Sequence, residues 1–482
     1  MPTDPLAPIV IRNIGSSGII LEDIVDESLM PVGAVNWAIN MHFDRIGGAT
    51  VRNGYTILEE QVADTYSCLG LHQFLDTGTG TNDRLISVFN TVAYALVSGT
   101  WTSKRTGLTA NSKARFTNFV DLVFMVNAVD AMQSWDGGAG NFSTTNVTSA
   151  PAAAYIENFR TRVWAARTSA NPSRLHYSSI ADASGAIAWT GSVGEGYIDV
   201  APGDGEDITA IKKFDGTLFV SKPSTMYRVF SINETEPDAR IFVGTYSQES
   251  MVTTKEGLYW HHSSGIYRVR KGETSPTEIS RPIYTIIQNI SRSNYTEIGA
   301  WSDDDHVYFS VGDVTVNGVS ITNCILRWTI STEVWTVYST KDKFLVGNTY
   351  DTSGGLYRVV GDNDGNIYTF DSGVTDNGTS ISYSLETRWY NLSGLRSETK
   401  TVRELCSLSE NLEGATIGWK NGTHSTNAIQ PIGEIERDEH VFKSQNITGK
   451  RIKFVLSGVG SGSRSVFQGF EIVDYINEGV IE

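Results

Sequence analysis

A two-strand unit that recurs along the chain is the feature that most limits the possible fold. In each copy an apolar strand is followed by a short turn and a second strand rich in Tyr, Val or Trp. The seven copies comprise residues 85–89 and 92–96, 122–126 and 131–135, 162–166 and 174–177, 216–220 and 225–229, 257–260 and 266–269, 306–311 and 324–328, and 355–360 and 366–370. Successive copies are spaced by roughly 37 to 55 residues, close to the length of a four-stranded propeller blade.

Each copy predicts the central hairpin of one blade. Gly, Asn and Asp in the turns allow the positive φ angles that short hairpins require. A single blade cannot bury both of its faces, so blades stack radially and largely hide their edges. A string of β-sandwich modules would show strands every 8–12 residues without this longer period. The sequence therefore predicts an all-β fold with a propeller over residues 61–378, of about seven blades, with six or eight fitting nearly as well.

The chain changes character on both sides of these repeats. Residues 1–60 contain strand-like segments and predict an amino-terminal β arm or platform. Residues 379–482 alternate polar and apolar side chains at shorter spacing, in segments 382–390, 401–408, 415–419, 451–456 and 466–473. This pattern predicts a carboxy-terminal antiparallel β-sandwich of about 100 residues.

The charge of the chain bears on its partners. The formal net charge is −16 and the pI about 5.0, and no cluster of Lys and Arg is evident. Binding to a phosphate backbone needs such clusters to displace counterions. Two interpretations remain: the charge keeps the protein soluble, or it lines a lumen through which DNA slides without sticking.

Cysteines and targeting signals exclude several classes of protein. Cys68, Cys324 and Cys406 are far apart and odd in number, so we expect buried small side chains instead of disulfides or a metal site. The start, Met1-Pro2-Thr3, lacks the basic and apolar regions of a signal peptide. No run approaches the ~18 apolar residues of a membrane span. We expect no exported or membrane-spanning segment.

The sequence contains none of the familiar catalytic or nucleotide-binding motifs. No Gly-x-x-x-x-Gly-Lys-Ser/Thr loop and no His-Glu-x-x-His motif occurs. His261 and His262 are adjacent, so on a strand they face opposite ways and at most one can join a given site. The glycine-rich stretch 458–462 lies between two strand-like segments and predicts a hairpin turn, because a phosphate loop would precede a helix.

Three turns with acidic residues are candidates for a metal site or a glycosidase site. Residues 303–305 and 362–365 offer two or three carboxylates each, which is fewer than the six to eight oxygens that calcium prefers. Residues 182–189 loosely resemble the Asp-box of sialidases, but the spacing differs and the motif occurs once. Carboxylates from different blades can pair without any trace in the sequence. We predict no catalytic, cofactor-binding or metal-binding residues, and no enzyme activity.

Several short segments resemble tail proteins of short-tailed bacteriophages. The opening Asn40-Met-His-Phe-Asp44 leads into Arg52-Asn-Gly-Tyr55, which is similar to an Arg-x-Gly-Tyr/Phe turn that precedes the propeller in those proteins. Further similar segments are residues 158–166, 173–178, 207–220 and 469–473. The resemblance covers nearly the whole chain in layout, through short and degenerate motifs.

The resemblance implies a subunit of a tail nozzle, also called a tail tubular or packaged-DNA stabilisation protein. Such a subunit would form a hexameric ring below the portal and its adaptor in the virion tail, around a channel that retains and then passes genomic DNA. Tail fibres or spikes would be further partners, DNA would pass without specific binding, and no catalytic residues would be carried over. The protein would be made in the host cytoplasm without a signal peptide. We hypothesise that residues 1–50 and the sandwich supply most subunit contacts.

Two other functions stay open from the residues alone. A propeller with exposed aromatic side chains on one face would be a glycan- or receptor-binding protein. A cleft with close carboxylates would instead favour a propeller glycoside hydrolase.

Overall fold

A computed structural model of the chain describes residues 9–21, 30–45, 48–59, 65–76, 82–190, 195–233, 237, 239–352, 354–391, 399–421, 428–443, 445–460 and 463–479. Almost all regular structure in these residues is antiparallel β-sheet. Met1-Pro2-Thr3 and residues 461–462 of the glycine-rich stretch 458–462 lie outside the described residues.

Seven sheets form the blades of a propeller, numbered here in chain order. Their strands are as follows: blade 1, Cys68–Phe74, Arg84–Phe89, Val92–Val97 and Thr100–Arg105; blade 2, Arg115–Phe119, Leu122–Val126 and Gln133–Trp135; blade 3, Tyr155–Phe159, Arg162–Ala166, Arg174–Tyr177 and Gly196–Asp199; blade 4, Ala210–Phe214, Thr217–Ser221, Met226–Val229 and Ala239–Ile241; blade 5, Val252–Thr253, Gly257–His262, Gly265–Arg270 and Thr277–Glu278; blade 6, Gly299–Ser302, His306–Val316, Val319–Thr329 and Val334–Tyr338; blade 7, Phe344–Thr352, Gly355–Asp362, Ile367–Phe370 and Tyr55–Ile57.

The seven hairpins predicted from the repeat are confirmed as the second and third strands of the seven blades. Blade 4 shows the register clearly, with Leu218 opposite Val229 and Val220 opposite Tyr227. The repeat is most visible in the second strands, which are buried at nearly every position and are therefore rich in apolar and β-branched residues, as in Leu122–Val126, Arg162–Ala166 and Thr217–Ser221. The third strands keep partly exposed positions, as in Arg174–Tyr177.

Blade 7 is closed by a strand from the start of the chain. Its first three strands follow one another, but its fourth, Tyr55–Ile57, pairs with Ile367–Phe370 so that Tyr55 lies opposite Phe370. This strand precedes blade 1 in the sequence and completes the last blade. The ring of blades is therefore joined by hydrogen bonds between segments about 310 residues apart.

The carboxy-terminal region forms a two-sheet sandwich. One sheet has the order Met41–Arg45, Gly48–Val51, Val466–Gly479, Thr399–Glu410 and His440–Phe442, with Ile9–Arg12 also paired to Val466–Gly479 and Ile447–Gly449 to Thr399–Glu410. The other has the order Val35–Ile39, Ser382–Thr387, Ile452–Val459, Thr416–Asn421 and Gln430–Glu434. Phe454 of the second sheet packs on Phe470 of the first, with ring centroids 4.7 Å apart.

Residues 1–60, predicted as an amino-terminal arm, thus supply strands to both other parts of the molecule. The described residues of this segment form no sheet of their own, because four strands enter the sandwich and the fifth enters blade 7. Removing residues 1–50 to test their hypothesised subunit contacts would therefore also remove sandwich strands.

The sandwich and the propeller share one apolar core. The long hairpin of blade 6 brings Val314, Val316 and Ile321 into the same buried cluster as the sandwich residues Phe467 and Ile472. The remaining elements are the helix Tyr284–Gln288, the 3-10 turns Gln248–Ser250, Arg281–Ile283 and Arg292–Asn294, a parallel pair of Val147–Thr148 with Ile187–Ala188, and a small hairpin of Thr375–Asp376 with Thr379–Ser380.

The predicted state of the cysteines is confirmed: Cys68, Cys324 and Cys406 are free and buried. No helix in the described parts of the chain is both long and apolar enough to cross a membrane.

Candidate functional sites

Two of the segments that carry the family resemblance, those containing Asn40 and Arg52–Tyr55, meet at the junction of propeller and sandwich, whereas residues 158–166, 173–178 and 207–220 lie in blades 3 and 4. Arg52 has a fully buried side chain, and its guanidinium donates to both carboxylate oxygens of Asp376, at 2.7 and 2.6 Å. The Nε atom of Arg52 donates to Oδ1 of Asn40 at 2.7 Å, and Nη2 donates to the carbonyl of Ser339 at 3.0 Å. One side chain therefore joins the sandwich, blade 6 and the hairpin after blade 7. These residues and Tyr55 are called the junction cluster below.

Asn40 contributes its backbone conformation and its side-chain hydrogen bonds to the same junction. It adopts a left-handed backbone with φ of 59°, which Asn tolerates better than most residues. Its side-chain oxygen also accepts the backbone N–H of Ser339, and its amide donates to the carbonyl of Ser382 at 2.7 Å. Asn40 thereby satisfies polar backbone groups of blade 6 and of a sandwich strand.

The Gly54-Tyr55 pair of the motif has an equally structural role. A Cβ atom on Gly54 would lie 1.8 Å from the carbonyl oxygen of Thr375, so a larger residue would force the two segments apart. Tyr55 is completely buried, and its hydroxyl donates to Asp342 at 2.8 Å. Burial, followed by the charges of Asp376 and Asp342, raises the pKa of Tyr55 far above its ordinary value, so the hydroxyl stays protonated. The motif therefore builds the closure of the propeller.

A polar cavity of about 330 Å³ lies on the propeller axis. First strands of all seven blades contribute to its lining. Its charged, imidazole and amide side chains are those of His72, Arg115, Glu157, Lys212, Gln248, Glu249 and Asn348. The cavity is much too small for duplex DNA, whose major groove alone is about 12 Å wide.

An ion pair crosses the axis at the end where the first strands begin. Glu249, in the turn before blade 5, accepts from Arg115 of blade 2 at 2.8 Å and from Lys113 at 3.4 Å. Burial acts to raise the pKa of Glu249, but the charges of Arg115 and Lys113 outweigh it and hold the pKa well below its ordinary value. Arg115 also lies over the ring of Tyr155, 4.6 Å from its centroid. Blades on opposite sides of the ring are thus tied together.

The two histidines considered in the sequence do face opposite sides of their strand. His261 is buried against Tyr295, and burial lowers its pKa to about 3, so it is neutral at physiological pH. His262 lies near the hairpin turn and bonds to Ser264 at 2.7 Å.

The acidic turns use their carboxylates within the fold. Asp362 accepts from the backbone of Asp364 and Asn366, at 2.9 and 2.8 Å, and from the hydroxyl of Tyr368. Asp303 of blade 6 bonds to His306 and to Arg358 of blade 7. Within the described residues, no group of three or more His, Cys, Asp or Glu side chains is arranged to hold a metal ion.

The segment resembling an Asp-box forms a turn on the outside of blade 3. The carboxylate of Asp182 accepts from the hydroxyl and backbone N–H of Ser184, at 2.7 and 2.8 Å, and from the backbone of Ala186 at 3.0 Å. These hydrogen bonds lower the pKa of Asp182. The turn leads into Trp189, whose backbone N–H donates to Thr148 at 3.0 Å. Its role in this structure is to place a tryptophan.

Trp189 lines an aromatic cavity that the sequence analysis did not identify. The cavity measures about 220 Å³ and is lined by Ser149, Pro151, His176, Tyr177, Trp189, Glu195, Gly196 and Tyr197. These residues come from the outer strands of blade 3 and from the loops beside them. No short motif marks such a site, because pairing of non-adjacent strands brings its residues together; the only signal in the sequence is a local concentration of aromatic residues.

Comparisons with known proteins add no family. No family model matches the sequence, and no curated protein is similar to it. Similar solved structures include a computationally designed protein, Ika8, with 11% identity, covering 65% of this chain and 99% of that one, at a TM-score of 0.41. YCF48 from Cyanidioschyzon merolae has 10% identity and covers 64% and 98%, at a TM-score of 0.42. A chain of a mitotic checkpoint complex has 8% identity and covers 67% and 95%, at 0.41. Likenesses this distant carry no conclusion about function.

Proposed function

We propose that the protein is a structural, non-enzymatic subunit of a bacteriophage tail nozzle, a ring below the portal and adaptor whose channel retains and then passes genomic DNA. The observation that carries the proposal is the junction cluster. Two of the segments that resemble the tail family contain Asn40 and Arg52–Tyr55, and these residues connect the sandwich, blade 6 and the hairpin after blade 7. A ring subunit under internal pressure needs this rigid connection between its parts.

The size of the axial cavity supports a DNA path that lies between subunits. Because the cavity holds about 330 Å³ and the Glu249–Arg115 pair crosses one end, duplex DNA would pass between subunits and not through a propeller. The net charge of −16 supports such a path, since an acidic wall repels phosphates and lets the duplex slide.

The hydrolase alternative gains little from the axial cavity. Its two lining carboxylates, Glu157 and Glu249, each lie within 4 Å of a basic side chain, Lys213 for the first and Arg115 for the second. Retaining and inverting glycosidases need one of the two carboxyls to be protonated as an acid. At Glu249 the charges of Arg115 and Lys113 favour the ionised form instead.

Negative-stain microscopy of the purified chain, with mass photometry over a range of concentrations, tests the proposed ring. We expect closed rings of about six subunits with a central opening wide enough for duplex DNA. A protein that stays monomeric at every concentration, alone and with a purified portal–adaptor complex, would contradict the proposal.

The proposed passage of DNA has its own test. We expect a gel-shift titration with linear duplex DNA to show no complex at 50 mM or 150 mM salt, because a channel for sliding DNA must not bind it. Tight binding that weakens steeply with salt would indicate a phosphate-binding surface and contradict the proposal.

A further inference from the structure

The aromatic cavity on blade 3 has the composition of a small-ligand site. Tyr197 is 54% exposed, and Arg174 lies over its ring at 3.6 Å from the centroid. Asp199 in turn holds Arg174 through two bonds of 2.7 and 3.1 Å. The guanidinium covers part of Tyr197 and limits its rotation, so an exposed aromatic surface is held in a fixed place. Preorganisation of this kind lowers the entropic cost of binding.

Two further rings complete the wall. Tyr177 packs against the buried Trp164 with ring centroids 5.2 Å apart, and it needs the glycine opposite it, because a Cβ on Gly196 would lie 2.6 Å from the hydroxyl of Tyr177. Trp189 packs its inner side on the core between blades 2 and 3. Tyr177 and Trp189 are therefore each packed against the core while they line the same cavity as Tyr197.

Buried polar atoms without partners belong to the same walls. The Nε2 atom of His176 and the Nε1 atom of Trp189 are both shielded from solvent, and neither has a hydrogen-bond partner among the described residues. A buried polar atom without a hydrogen bond is destabilising, so such an atom can mark the place of a partner that binds there. Burial, then the charge of Arg174, lowers the pKa of His176 to about 4, so the ring is neutral at physiological pH.

The charge of the cavity limits the ligand further. Arg174 is neutralised by Asp199, and His176 is neutral, while Glu195 adds a carboxylate to the wall. Anionic ligands are therefore disfavoured. The volume of about 220 Å³ is below the ~300–1,000 Å³ typical of drug-sized ligands, so the site suits a compact one.

We propose that this cavity binds a neutral saccharide, with a pyranose ring packed on Tyr197 and Trp189 and its hydroxyl groups bonded to His176, Trp189 and Glu195. A pyranose combines an apolar C–H face, which packs on aromatic rings, with hydroxyls that both donate and accept. The site is independent of the proposed ring function.

A glycan array tests the proposal with the full-length chain. The array should carry neutral hexose and N-acetylhexosamine oligosaccharides together with sialylated and sulfated ones. We expect binding to neutral members, followed by titration of the best one by NMR. Absence of binding, or binding restricted to sialylated or sulfated glycans, would overturn the proposal.

Three variants locate the site. We expect Tyr197→Ala to weaken binding at least tenfold and Tyr197→Phe, which keeps the ring, to change it less than threefold. Phe242→Ala is the matched control, because Phe242 is an aromatic side chain 80% exposed on blade 4, outside the cavity. Equal losses for Tyr197→Ala and Phe242→Ala, or no loss for Tyr197→Ala in a folded protein, would place the site elsewhere and contradict the proposal.

Discussion

Blades 4 and 7 share a set of four antiparallel strands, to which blade 7 adds the hairpin Thr375–Asp376 with Thr379–Ser380, but the four strands are assembled in different ways. The strands of blade 4 follow one another between Ala210 and Ile241, so each pairs with its neighbour in sequence. Blade 7 takes its fourth strand, Tyr55–Ile57, from before blade 1. Closing a long loop costs more chain entropy than closing a short one, although the cost grows slowly with length.

The two blades also differ in how their outer strands are held. Apart from its backbone pairing, the fourth strand of blade 7 is anchored by the fully buried Tyr55 and the adjoining Arg52–Asp376 pair. In blade 4 the outer strand ends next to Phe242, which is largely exposed. Side-chain anchoring is therefore stronger in blade 7, where the paired strands are distant in sequence and no hairpin turn connects them.

The largest expected effect comes from truncation at two points. A chain that begins at residue 51 keeps Tyr55–Ile57 but loses four sandwich strands, so we expect hydrogen exchange to show an unprotected sandwich beside protected blades. A chain that begins at residue 65 also loses the closing strand, and we expect protection in blade 7 to fall as well. Equal protection of blade 7 in the two chains would show that the closing strand is dispensable.

Arg52→Met should destabilise the protein by about 3–5 kcal/mol, because it leaves Asp376 as a buried carboxylate without its partner. Denaturant unfolding at pH 7 measures this change. Arg167→Met is the control, since Arg167 and Asp207 form an exposed pair at 3.5 Å and should contribute less than about 1 kcal/mol. Similar losses in the free energy of unfolding of both variants would contradict the larger contribution expected of the junction cluster.

Glu249→Gln tests the tie across the propeller axis. We expect a loss of about 1.5–3 kcal/mol at pH 7, the range for hydrogen bonds to charged groups. The pKa of Glu249 is depressed in the folded state, so its stabilising effect is complete above the unfolded pKa of about 4.3 and declines as the pH falls below it. The variant should therefore lose less stability than the parent between pH 5 and pH 2, as measured by thermal unfolding. If the stability of the variant and of the parent fell in parallel over this pH range, Glu249 would not stabilise the fold through its charge.

Tyr55→Phe should have the smallest effect, about 0.5–1.5 kcal/mol for each hydrogen bond it removes, because it keeps the buried ring. The lost bonds are the one that the hydroxyl donates to the Asp342 carboxylate and the one that it accepts from the backbone N–H of Asp342. Tyr94→Phe in blade 1 is the control: Tyr94 is half-buried, and we expect a change within about 0.5 kcal/mol. Chemical denaturation resolves the two values. A loss at Tyr55 no greater than at Tyr94 would mean that the ring alone secures the closing strand.

The functional interpretation from sequence had uneven foundations. The sequence identified the segments Asn40 and Arg52–Tyr55 that form the junction cluster. Only the structure shows that their polar side-chain atoms form hydrogen bonds within the fold. The aromatic cavity of blade 3 was not predicted. Trp189 was noticed only as part of an Asp-box-like segment, and nothing in the sequence connects it to Tyr197, because the sheet brings the two together.

The sequence by itself determined the β class and the seven central hairpins, because two strands joined by a tight turn form a local unit whose apolar pattern and turn residues lie within a short segment. Only the tertiary structure decided which strand closes blade 7 and which strands complete the sandwich. Short strands such as Tyr55–Ile57 carry too little pattern to specify a partner about 310 residues away. Their pairing depends on the burial of Arg52 and Tyr55 against segments that become neighbours only when the ring of blades has formed.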